Sequence, residues 1–176
     1  KDLPEVRRQY VERFRYVLVD EFQDTNYVQA CIVWQLTQER KAVCVVGDDA
    51  QSIYSFRGAN IGNILGFTER YGGAEIFKLE QNYRSTRTIV DAANSVIERN
   101  SRRMEKKCFS EGDAGEKIRV VRTYTDREEG DIIANALRDH IRESGDSWNE
   151  AAILYRTNNQ SAVIEQALRR RGIPYR

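Results

Sequence analysis

The first residues whose types and spacing could do chemistry are the adjacent acids Asp20 and Glu21. They close the run Tyr16-Val17-Leu18-Val19 and open the polar stretch Phe22-Gln23-Asp24-Thr25-Asn26. Two carboxylates at such a point suit a hydrated Mg²⁺ and an attacking water at a nucleotide phosphate. The plainer reading is a pair of solvated or capping acids at a strand end. Further on, Gln51 follows a second apolar run and offers a neutral amide to a phosphate or a water, or is simply a loop residue. Tyr54, Phe56 and Arg57 put two rings and a guanidinium within four positions. That suits stacking on unpaired bases, unless the rings plug the core and the arginine pairs with an acid. Asn82-Tyr83-Arg84 sets an arginine and an aromatic at a helix opening, fit for a phosphate and a base or for a cap and a surface ion pair. Arg156-Thr157-Asn158-Asn159-Gln160-Ser161 crowds donors at a strand-to-helix passage, where helix N-termini bind phosphates and where a simple asparagine cap is also at home.

These residues need elements to hold them. Tyr16–Val19 is too short and too β-branched and aromatic for a helix, and it reads as a strand buried on both faces. Tyr27–Glu39 carries the periodicity of a helix with a wide apolar stripe, and Ala42–Val46 is a second continuous apolar run closed by Gly47-Asp48-Asp49. Strand, helix and strand at this spacing form a parallel βαβ unit. Asp20/Glu21 and Gly47/Asp48 then point to one sheet edge, where open α/β sheets bind ligands. Pro4–Phe14 fits a short amphipathic helix before the first strand. Ile61–Tyr71 fits a loop and helix stopped by Gly72-Gly73, and Ala74–Leu79 a third strand. Ser85 or Thr86 caps a helix carrying Ile89, Val90, Ala93, Val96 and Ile97. After a Gly- and acid-rich turn at 110–117, strands are expected at Ile118–Tyr124 and Ala151–Tyr155. They alternate with helices at Asp126–Glu143 and Asn158–Arg171, so that β-α-β recurs.

Composition narrows the class. The chain has 176 residues, enough for one domain or two small ones, with 40% hydrophobic and 31% charged residues, as expected of a water-soluble globular protein. Its net charge of +1 neither points to nor excludes nucleic acid, because placement decides. Basic residues gather between Arg84 and Lys107 and again at Arg169-Arg170-Arg171, as solvated faces or as contacts. Cys31, Cys44 and Cys108 are too scattered for a disulfide framework or a zinc site. They argue for a reducing, cytoplasmic compartment, with Cys44 as a small core residue. No apolar run is long enough for a bilayer. The chain lacks an initiator Met and ends just after a Gly-x-Pro signal, so it reads as a piece of something larger.

Taken in order, VLVDEFQDTN, VVGDDAQSIYSFRGAN, LEQNYRST and ILYRTNNQS resemble four successive motifs of the superfamily 1 DNA helicases of the UvrD/Rep/PcrA type. The resemblance covers nearly the whole chain, and the two middle motifs are highly specific. It implies an α/β architecture of RecA-like parallel sheets flanked by helices. These would be parts of two P-loop NTPase motor domains, residues 1–80 and 81–176, with the boundary near Leu79–Asn82. It implies an ATP- and Mg²⁺-dependent motor that translocates on single-stranded DNA and unwinds duplex junctions, working with repair or replication proteins and not with a membrane.

Residue by residue, the resemblance makes Asp20 the Mg²⁺ ligand and Glu21 the catalytic base. Gln51 would couple the γ-phosphate to the DNA loop. Tyr83 would stack on the adenine, and Arg84 would be an arginine finger. Tyr54, Phe56 and Arg57 would line the DNA track, with Phe56 where relatives often carry Trp. Arg156 and Asn158 would touch the DNA backbone from the second motor domain. Two alternatives stand beside this: the motor subunit of a helicase–nuclease, and, for the 176 residues alone, a non-catalytic DNA-binding module. No G-x-x-x-x-G-K-[ST] occurs, so the isolated chain is expected to lack ATPase, and faces left open by the cut are expected to make it self-associate.

Overall fold

A computed structural model describes residues 3–176, which form two compact units, the first ending at Ile118 and the second covering Arg119–Arg176. In the first unit, helix α1 (Pro4–Arg13) starts with its proline in the first turn, where the missing N–H costs nothing. Strand β1 (Val17–Val19), helix α2 (Tyr27–Thr37) and strand β2 (Val43–Val45) follow as expected. The strands pair in parallel with Val17 opposite Val43 and Val19 opposite Val45. Helix α2 begins in a reciprocal cap: Gln29 N–H donates to Asn26 Oδ1 at 2.9 Å, and Asn26 N–H donates to Gln29 Oε1 at 2.9 Å. Beyond β2 come the short helices α3 (Gly62–Leu65) and α4 (Phe67–Arg70), broken at Gly66, and then α5 (Arg87–Ile97). An aromatic cluster sits in the core of this unit beside Val11, Ala30, Ile64 and Val90. Phe22 meets Phe67 edge-on at 5.6 Å, Phe67 stacks on Tyr71 at 4.5 Å, and the Tyr71 hydroxyl shares a 2.7 Å hydrogen bond with Thr37.

Several expectations are corrected. The sheet is covered on one face only: Val17, Val19, Val43 and Val45 are half-buried, while Leu18 is 80% exposed and Cys44 is exposed rather than a core residue. Residues 74–79, 118–124 and 151–155 form no strands. They carry no regular secondary structure, and Leu79, Val120 and Leu154 stand out in solvent. A strand exists only by pairing, and no neighbouring strand reaches them among the described residues. Nearby, an isolated parallel bridge joins Gln81 and Phe109.

The second unit is therefore not a second βαβ but a helical hairpin. Helix α6 (Asp126–Ser144) packs on α7 (Asn158–Arg170) around Ala134, Ile164, Ala167, Leu168 and Ile173. Gly130 lets the helices approach closely, since a Cβ there would lie 3.2 Å from the Val163 carbonyl oxygen. Asp131 binds Arg170 at 2.7 Å and Arg171 at 2.9 Å across the hairpin. Those hydrogen bonds hold the Asp131 carboxyl below the usual carboxylate range. All three clustered arginines thus have a structural partner, since Arg169 pairs with Glu165 at 3.5 Å and donates to the Tyr175 hydroxyl.

Candidate functional site

The parallel register sets the ends of β1 and β2 level, and the ladder continues past them: Val46 N–H donates to Val19 O and Phe22 N–H to Val46 O. At the turn that follows β1, Glu21 takes a left-handed backbone, φ 49° and ψ 42°, uncommon for a residue with a side chain. Its N–H donates to Asp20 Oδ1 at 2.8 Å. Two residues on, Gln23 is 1% exposed and spans both strand ends. Its Nε2 donates to Glu21 Oε2 at 2.7 Å, and its Oε1 accepts from the Asp48 N–H at 3.0 Å. This bridge needs Gly47, because a Cβ there would sit 2.5 Å from Gln23 Oε1.

Past β2, Asp48 organises the next loop. Its Oδ1 accepts from Ala50 N–H at 2.9 Å, and its Oδ2 accepts from Gln51 Nε2 at 2.8 Å. The Lys106 ammonium binds Asp48 Oδ1 and also Asp49 Oδ1, the latter at 2.7 Å. Burial opposes charge on both Asp48 and Lys106. Their mutual hydrogen bonds outweigh it, holding the aspartate below and the lysine above their ordinary pKa values.

Glu21, Gln23, Asp24, Ala50, Gln51, Ile53 and Tyr54 line an open depression of about 510 Å³. Within it, Asp24 Oδ1 is buried with no hydrogen-bond partner among the described residues. An oxygen-rich wall with an orphaned carboxylate oxygen fits a hard, hydrated cation. The described residues hold no cluster of three metal-ligating side chains, which Mg²⁺ sharing its shell with water and phosphate does not need. Asp20 is exposed at the end of β1, outside the lining of this depression.

Tyr54 and Phe56 lie on the solvent side, with Phe56 70% exposed and the ring centroids 5.9 Å apart. The Arg57 guanidinium lies over both rings, at 5.3 and 5.5 Å from their centres, and forms no ion pair among the described residues. The rings therefore do not plug the core. The loop is held from behind, since Asn26 bridges Ala59 and Asn63 Nδ2 donates to Thr25 O at 3.0 Å.

Tyr83 and Arg84 line a second depression of about 410 Å³, formed by residues 81–86 and 110–113. Contrary to expectation, Arg84 does not open a helix. It sits in a turn three residues before α5, where Asn82 Oδ1 accepts from the N–H groups of Arg84 and Ser85. Arg84 does not line the depression that holds Glu21 and Gln51. Arg156 and Asn158 belong to the second unit, both exposed at the start of α7. There Thr157 is the cap, and Gln160 Oε1 accepts from the N–H groups of Arg156 and Thr157.

Residues 1–72 match the UvrD/REP helicase N-terminal domain, and residues 77–176 match the UvrD-like helicase C-terminal domain. The chain belongs to the UvrD-like helicase family. It is 46% identical over 173 residues to the ATP-dependent DNA helicase PcrA of Staphylococcus epidermidis and 45% identical to that of Staphylococcus aureus. The alignments cover 98% of this chain and 24% of each relative, so the chain spans about a quarter of the length of these relatives.

Membership in the UvrD-like family makes the fold α/β, of the P-loop NTPase class, and the small parallel sheet agrees with that. The structure gathers Glu21, Gln51 and Tyr54 around one depression and keeps Tyr83 with Arg84 in another. Inspection of the sequence missed Gln23, Asp24 and Lys106. The Gln and Asp of DEFQDTN lie inside a recognised motif and could have been singled out there. Lys106 carries no local signal beyond membership of a basic run.

Proposed function

We propose that this chain is part of an ATP-dependent DNA helicase that couples ATP hydrolysis to movement along single-stranded DNA and to duplex unwinding. Residues 1–80 belong to one RecA-like motor domain and 81–176 to the next, with ATP in the cleft between them. The observation that carries the reading is the common depression of Glu21, Gln51 and Tyr54. It places a carboxylate, an amide and an aromatic ring side by side, so that hydrolysis and base stacking can be sensed by one loop.

Glu21, tethered through Gln23, takes a proton from the attacking water. Gln51 reads the terminal phosphate through its amide, and Arg84 neutralises charge on the transferred phosphoryl group when the cleft closes. Tyr83 stacks on the adenine. Asp20 would hold Mg²⁺ at the rim of the depression that Asp24 lines, and the ion would supply charge neutralisation on the phosphates. Tyr54 and Phe56 stack on bases while Arg57 meets the backbone phosphate, and Arg156 and Asn158 add backbone contacts. Stacking of about 1–3 kcal/mol per base grips the strand and still releases it each cycle.

In the longer protein, E21Q is expected to lower hydrolysis by about 100-fold or more while ATP binding persists. Y54A and F56A are expected to weaken single-strand binding more than basal hydrolysis. Wild-type turnover in E21Q, or unchanged DNA affinity in both ring variants, would overturn these assignments.

A further inference from the structure

The segment that follows α5 reaches back to the sheet edge. Lys107 N–H donates to Glu80 Oε1 at 2.8 Å, and Met104 N–H donates to Asp49 Oδ2 at 2.8 Å. Between these anchors, Lys106 inserts its ammonium between Asp48 and Asp49. Asp49 has a side chain only 1% exposed, so the lysine neutralises a charge that water cannot reach. The grip continues one step further. The same Asp48 carboxylate that holds Lys106 by Oδ1 accepts the Gln51 amide by Oδ2. Asp48 is also bound through its N–H to Gln23, whose other end holds Glu21. A hydrogen-bonded line therefore runs from Lys106 through Asp48 to Gln51 and, by the backbone of Asp48, to Glu21.

We propose that Lys106 is a positioning residue that grips Asp48 and Asp49 across the boundary between the two motor segments and thereby orients the Gln51 amide. The inference rests on reading Gln51 as the γ-phosphate sensor and on the division near residue 80. Lys106 would then report the placement of the second segment to the phosphate side of the first. A lysine suits this task, because its flexible stem and rotatable donors hold two carboxylates at once. The pKa shifts of Asp48 and Lys106 agree with a charged pair at neutral pH.

The test has a spectroscopic arm and a kinetic arm. In the 176-residue chain, the side-chain amide resonance of Gln51, assigned by its loss in Q51A, is expected to shift in K106Q and to return close to wild type in K106R. Should K106Q fail to fold, D49N loosens the hold on Lys106 without touching the Gln51 amide and is expected to move the same resonance. In the longer protein, K106Q is expected to lower DNA-stimulated kcat by about ten-fold while KM for ATP stays within about two-fold. K106R is expected to recover most of that loss. An unmoved Gln51 resonance overturns the relay, and so does wild-type turnover in K106Q beside a disabled Q51A. If Q51A itself turns over ATP normally with DNA, the assignment of Gln51 as sensor fails instead.

Discussion

Gln23 and Lys106 have side chains that are ordinarily exposed, yet here the first is buried and the second mostly so. A buried amide must have its partners, and Gln23 finds them on both strand ends at once. Lys106 forms a pair whose charge state sets a pH window. Asp48 is held below its ordinary pKa, so its contribution to stability is complete above the unfolded value of about 3.9 and fades as pH falls through the lower folded value. Lys106 is raised, so its contribution is complete below about 10.4 and fades as pH climbs through the higher folded value. The difference in melting temperature between wild type and K106Q should then be flat from about pH 5 to 9 and narrow below about pH 4. Thermal unfolding followed by circular dichroism across that range measures it. A gap that stays constant into the acid range would mean that Lys106 acts through packing and not through Asp48.

Among the elements, the helices and the βαβ unit were legible because their signals are local. The proline of α1 and the stop at Gly172 act within a turn of the residues they control, whereas the break at Gly66 and the cap at Thr157, where the sequence suggests an asparagine, emerged only in the structure. The runs 74–79, 118–124 and 151–155 have strand composition and no strand partner, because composition reports a preference while pairing requires a neighbour. Helix packing can be tested at Gly130, whose missing Cβ lets α6 lie against Val163 and Ala167 of α7. G130V should destabilise the hairpin by about 1–3 kcal/mol, read as a lowered urea midpoint at unchanged slope. A midpoint equal to wild type would show that the two helices do not press together there.

At the level of the whole molecule, the chain matches two successive domain families and presents apolar surface that its own elements leave open. Leu18 projects from the uncovered face of the sheet, and Phe77, Leu79, Val120 and Leu154 project from segments that join no sheet among the described residues. Backbone that offers unpaired donors and acceptors beside apolar side chains invites edge-to-edge association. The 176-residue chain should therefore self-associate, with a sedimentation coefficient that rises with concentration. L18K should reduce that rise. A concentration-independent monomer would rule this out.

The sequence alone determined the family, the order of the motifs, and the βαβ unit that ends in Asp20, Glu21 and Gly47-Asp48. Each of these rests on residues within a few positions of one another, where spacing along the chain is spacing in space. Only the tertiary structure decided which side chains meet. It brought Gln23 to Asp48 across 25 positions and Lys106 to Asp49 across 57. It turned the Tyr54 and Phe56 rings outward under Arg57, and it left Leu18 and Cys44 in solvent. Burial and pairing depend on what packs from elsewhere in the chain, and no local pattern of residues encodes that.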